Sequence, residues 1–174
     1  RAASRPPPRT AAPGRASPYG PAMPTRRRVA ALAIQAWLCA TAEMAWLLPQ
    51  SPLHKTRASG DREGLVMPAL IHQQFYIFRD GDQPVGLALW AKCTPAAAKK
   101  LDGGMIEPEN RLTLEEWANG EEVWLVDLIA PFATPNNRQR ELMMADLISK
   151  PLKGVAFKLH VTDPQTGKRT VQTV

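Results

Sequence analysis

A chain of 174 residues, 44% hydrophobic and 22% charged, is long enough for one domain with its own core and short for two. The formal charge of +6 invites a nucleic-acid reading, but residues 1–28 hold seven of the 22 basic side chains and no acid, which leaves 15 basic against 16 acidic residues elsewhere. A nearly neutral remainder argues against nucleic-acid binding by the domain. Two cysteines, Cys39 and Cys93, without Cys-x-x-Cys spacing exclude a disulfide framework and a thiol metal or redox site, and read as free thiols of a reducing cytosol.

Along the chain, residues 1–24 contain seven of the 17 prolines and almost no bulky apolar residue. Such a stretch cannot offset its ordering entropy, so a disordered tail is expected over 1–28, followed by one domain over 29–174. Met23 could serve as a start, and residues 1–22 then read as read-through of an upstream region outside the fold. The next stretch, "TRRRVAALAIQAWLCATAEMAWLL", has two readings. Arginines before an apolar run ending in Ala-Thr-Ala resemble an export signal of twin-arginine type. Its Ala, Leu, Ile and Met content, running through Glu43 without a polar boundary, equally describes a helix packed on a sheet, the preferred reading. Glu43 also argues against a stable membrane span, since a mid-span acid costs about 2.5–3.5 kcal/mol.

From Pro68 the pattern alternates. "QFYIFRDGDQPVGLALWAKC" predicts two strands joined at Asp-Gly. Thr94 as N-cap, Pro95 in the first turn and Gly103 after the end predict a short helix, and Thr113 with Glu116 stand at capping-box spacing before Gly120. "EEVWLVDLIAPF" (121–132) reads as a strand stopped by Pro131, "NNRQRELMMADLISKP" as an amphipathic helix ending before Pro151, and "GVAFKLHV" with "KRTVQTV" as two last strands. The order implies an α+β (mixed α/β) fold, with helices around one largely antiparallel central sheet.

Strict alternation sets Trp124, Val126 and Leu128 on one face and Leu125, Asp127 and Ile129 on the other. Asp127 therefore needs a partner, or a place where the strand end opens into a cleft; the bland alternative is a turn-capping aspartate. Three histidines are available. His72 and His160 read as structural, whereas His54 follows a helix end and a proline turn, where loops expose side chains over a rigid scaffold. Taken alone, His54 reads more readily as an ordinary surface histidine than as a site residue. Ser51 could complete a Ser-His-Asp arrangement or simply be a turn residue. Cys93 has no local support as a nucleophile, and the sequence contains neither a phosphate-binding Gly-rich loop nor a metal-ligand cluster. The residues alone reach a His–Asp site in a small α/β domain.

Three ordered segments carry a resemblance. "WLLPQSPLHKTR" (46–57), "QPVGLALWA" (83–91) and "VWLVDLIAPF" (123–132), with "EEWANGEEVW" before the last, resemble the RTX toxin-activating lysine acyltransferases over about Trp37 to Val161. That resemblance implies a GNAT-like acyltransferase fold and a cytoplasmic enzyme that moves a fatty acyl chain from acyl carrier protein to internal lysines of an RTX protoxin. It carries no bound cofactor and implies a homodimer. The family's histidine falls on His54, its aspartate on Asp127 and its serine on Ser51, and the peptide groups near Ala130 are candidates for binding the oxyanion. Leu128 stands where the family has tryptophan, Tyr-Cys-Ser is missing before Trp90, and the chain stops at Val174, short of the family's C-terminal part. Without a basic face, Lys99–Lys100 or Arg138–Arg140 would have to receive an acidic carrier. Competing readings are an acyl-CoA-dependent N-acyltransferase of similar fold, weakened by the missing Gly-rich turn, and an exported domain that only binds.

Overall fold

The computed structural model describes residues 26–52, 54–55, 59–103, 110–162, 166 and 168–174. The tail expected over residues 1–28 lies outside them as far as residue 25, and Arg26–Arg28 form the first turn of a helix.

Helix α1 spans Arg26–Gln50, with Pro49 in its last turn. It runs unbroken through Ala40-Thr41-Ala42, where an export signal would end. The packed-helix reading holds for its second half only. Ala40, Met44, Leu47 and Leu48 are buried, whereas every residue from 29 to 39 is exposed. By length and composition alone, Val29–Gln50 could cross a membrane. Glu43 belongs to the packed half, where both its oxygens accept from Arg79 Nη2 at 2.6–2.7 Å.

Helix α2, Ser59–Ile71, has no counterpart among the sequence-predicted elements. Its polar start and internal Pro68 disguise it, since proline normally ends a helix. Here the residue four before the ring is Gly64, and buried Leu65, Ala69 and Leu70 hold the helix to the core. Gln73, at φ 54°, closes it in the left-handed region.

Strands β1 (Phe75–Asp80) and β2 (Gln83–Cys93) form the predicted hairpin, with Gly81 at φ 58° in the turn. Helix α3, Pro95–Asp102, begins as expected: Thr94 Oγ1 accepts from the Ala97 amide at 3.3 Å. The Thr113–Glu116 capping box is reciprocal, with the Thr113 amide donating to Glu116 Oε2 at 2.8 Å and the Glu116 amide to Thr113 Oγ1 at 3.3 Å. It encloses a single 3-10 turn that seats buried Trp117. Gly120 follows because a Cβ there would lie 1.8 Å from the Cys93 carbonyl carbon. Strand β3 (Glu122–Ile129), helix α4 (Gln139–Ser149), and strands β4 (Phe157–Thr162) and β5 (Arg169–Thr173) complete the order.

The five strands make one sheet in chain order. Every neighbouring pair is antiparallel except β3–β4, which is parallel. That pair needs a crossover, which α4 supplies. Helices α1, α2 and α3 cover one face of the sheet with a core around Met44, Leu47, Leu70, Leu89, Trp117 and Trp124. Met143 and Leu147 of α4 cover the other with Trp90, Leu125 and Phe157. The predicted α+β fold with a largely antiparallel sheet is the one observed.

Candidate functional site

The site begins with the turn that ends α1. Buried Leu47 and Leu48 anchor the helix end. Beyond them the Ser51 amide donates to the Leu48 carbonyl at 3.2 Å, and the amides of His54 and Lys55 donate to the Ser51 carbonyl at 3.0 and 2.9 Å. One tight turn therefore sets Ser51 and His54 side by side. Both are buried, His54 with only 3% of its surface exposed.

Asp127 arrives from β3 through an irregularity that alternation does not anticipate. Across the β2–β3 ladder Leu89 pairs with Asp127 and Trp90 with Leu125, so Val126 has no partner. One unpaired residue in a strand is a β-bulge, and it reverses the facing of everything after it. Asp127 and Ile129 oppose Leu89 and Leu87, which belong to the same core as Trp124. The expected grouping of Asp127 with Leu125 is thus corrected. The bulge turns Asp127 toward the α1 side, where His54 lies.

There His54 Nε2 stands 2.7 Å from Asp127 Oδ2, and His54 Nδ1 stands 2.8 Å from Ser51 Oγ. A carboxylate only accepts, so Nε2 carries the hydrogen. In the neutral ring, Nδ1 is then the lone-pair nitrogen and accepts from the Ser51 hydroxyl. The three side chains that sequence reasoning singled out form one hydrogen-bonded chain. Its most open member is Asp127, with a side chain 21% exposed.

The neighbouring space follows from the sheet. Parallel pairing of β3 with β4 covers only Val123–Leu125 against Phe157–Leu159. Beyond it lies a cleft of about 390 Å³ lined by His54 and Asp127. Leu65, Leu101, Leu128, Met144 and Leu159 supply apolar wall, and exposed Arg140, Thr162 and Arg169 also border it. Among the described residues no strand pairs with that edge of β3 past Leu125.

His160 also lines the cleft. Its Nε2 donates to the Leu101 carbonyl at 2.5 Å, a tie between β4 and α3, while Nδ1 is buried without a partner among the described residues. Sequence reading made His160 structural, since nothing in "FKLHV" discloses that its side chain borders a ligand-sized space. His72 donates to the Leu114 carbonyl and is not among the residues lining the cleft. Cys93 is no nucleophile: burial, then Glu122 and Glu116, push its thiol up to about 11. Of the basic pairs, Lys100 is bound to Glu116 at 2.6 Å, whereas Arg140 reaches the cleft.

The α+β domain thus holds a hydrogen-bonded serine, histidine and aspartate beside a cleft with both apolar and polar walls. The family model for the RTX toxin acyltransferase family matches residues 37–174, and the chain belongs to that family. An RTX-III toxin-activating lysine-acyltransferase of Actinobacillus pleuropneumoniae is 34% identical over 97 residues, 56% of this chain and 54% of that protein. An RTX-II toxin-activating counterpart from the same organism is 26% identical over 129 residues, covering 72% and 74%. A protein-lysine myristoyltransferase of Kingella kingae is 33% identical over 90 residues, 51% of each. The chain thus spans about half the length of most of the curated relatives it matches.

Proposed function

We propose that this protein transfers a fatty acyl group from acyl carrier protein to lysine side chains of an RTX protoxin, with His54 as general base. The observation that carries the reading is the Ser51–His54–Asp127 chain opening on a cleft with an apolar wall, in a member of this family. Lysine is protonated at neutral pH and cannot attack a thioester until it loses a proton. Asp127 holds Nε2–H, so Nδ1 is the basic atom, and Ser51 stands directly on it. The lysine proton passes through Ser51 Oγ to Nδ1, and the imidazolium rests between Asp127 and Ser51. The amine forms the new C–N bond, the C–S bond breaks, and His54 returns the proton to the departing carrier thiolate.

Peptide N–H groups of β3 between its last pair with β4, at Leu125, and Ala130 are the candidate donors for the tetrahedral oxyanion. The wall of Leu65, Leu101, Leu128, Met144 and Leu159 suits a fatty chain. Carrier protein is favoured over acyl-CoA as donor because residues 130–138, between β3 and α4, contain no glycine for a pyrophosphate-binding turn. A reaction that precedes toxin secretion belongs in the cytoplasm.

The deciding experiment measures the intact mass of an RTX protoxin co-expressed with this chain or with His54→Ala. A fatty-acyl gain on toxin lysines that disappears in the variant supports the reading. No gain with the folded protein and loaded carrier present would refute it. A gain of acyl mass on Ser51 itself would replace the relay by a two-step route through an ester.

A further inference from the structure

The first half of α1 is not used by the reading above. Residues 29–39, "VAALAIQAWLC", are apolar except for Gln35, and all are exposed, with Leu32 at 63% and Ile34 at 61%. No acid occurs before Glu43, and Arg26–Arg28 occupy the first turn. From the structure we propose that this half-helix is a docking element for an anionic membrane surface.

Three observations select that partner. The apolar character runs all round the helix, since Val29, Leu32, Ile34, Trp37 and Leu38 do not share one face. A second copy or a protein groove would cover one stripe, whereas lipid surrounds an embedded helix on several sides. The charge is one-sided: three arginines and no acid match anionic headgroups, and Trp37 is a residue type favoured at the interface. Length limits the depth. From Ala40 onward the helix is packed on the sheet and tied through Glu43 to Arg79, so only residues 29–39 are free. Eleven residues at 1.5 Å each reach roughly 16 Å, about half a hydrocarbon core, which is too short to cross it.

The exposed aromatic surface continues along α1. Trp46 and Phe132, both exposed, have ring centroids 6.1 Å apart. Phe132 sits just past β3, five residues after Asp127. Docking would therefore bring the strand end that carries the site close to the lipid surface.

The test is co-sedimentation of the full chain with vesicles of phosphatidylglycerol and phosphatidylethanolamine, against vesicles of phosphatidylcholine alone. Binding to the anionic vesicles is expected to be at least tenfold stronger and to weaken with salt. Replacing Arg26, Arg27 and Arg28 together by glutamine should remove most of that preference. A Leu32→Glu and Ile34→Glu double variant, altered only at exposed sites, should abolish binding while keeping the wild-type circular dichroism. Asp127→Asn should bind vesicles normally, which separates this proposal from the catalytic one. Failure to bind, or equal binding to both vesicles unaffected by the variants, would overturn it. So would a double variant that merely dissociates a dimer, because the helix would then cover a second copy of the chain.

Discussion

The two halves of strand β3 obey different rules. Val123 to Leu125 are paired on both sides, with β2 and with β4, and are buried. From Val126 to Ile129 the strand keeps only its β2 neighbour, carries a bulge and exposes part of a carboxylate. The first half specifies the sheet, and the second specifies what the sheet holds. A carboxylate in the buried, fully paired half would carry a large desolvation cost, and Asp127 stands where that pairing stops.

That contrast is sharpest in activity. Asp127→Asn and His54→Ala are each expected to lower acyl transfer by about 10²–10⁴-fold, the range for removing general acid–base catalysis. Asp127→Asn should do so with little change in melting temperature. Toxin mass gain per unit time, beside a thermal melt, checks both. A parallel fall in stability would merge the two halves again.

At the paired end, Cys93 lies opposite Glu122 in the ladder. With its pKa at about 11, roughly one thiol in a thousand is thiolate at pH 8. Alkylation of the folded protein should label exposed Cys39 first and leave Cys93 untouched until the chain unfolds. Fast labelling of Cys93 in the folded state would mean that the paired end opens. In the same half, Leu125→Ala removes a side chain packed against α4 and is expected to cost about 2–5 kcal/mol by denaturant unfolding.

The smallest effect concerns Glu116, whose carboxyl is held below its usual value first by Lys100 and then by the Thr113 amide. A lowered acid pKa contributes stability that is present above the unfolded value and is lost as pH falls through the folded one. Glu116→Gln should therefore flatten the acid side of the stability–pH curve. The change at neutral pH should stay below about 1 kcal/mol because the pair is partly exposed.

Most elements were legible because their punctuation is local. Thr94-Pro95, Thr113 with Glu116, Asp-Gly before Gln83, and Pro151 all act through the nearest few residues. Ser51 and His54 were picked out by the resemblance of "WLLPQSPLHKTR" and not by their own surroundings, because the burial of His54 depends on packing that a loop sequence does not disclose. Helix α2 was hidden by Pro68, an exception that Gly64 and burial accommodate. The facing of Asp127 was misread because Val126 is an ordinary strand residue. Only its lack of a partner on β2 makes it a bulge, and pairing is a property of two segments. The same limit hid the parallel pairing of β4 and the location of His160.

Three register pairs hold the β4–β5 hairpin to β3, against seven between β2 and β3. Local opening costs least where few such links must break. In hydrogen exchange, the amides of β5 and of β4 beyond Leu159 should become labelled well before those of β2. For the proposed reaction, such opening would let a bulky chain enter and leave while Ser51, His54 and Asp127, none of them on β4 or β5, stay in place.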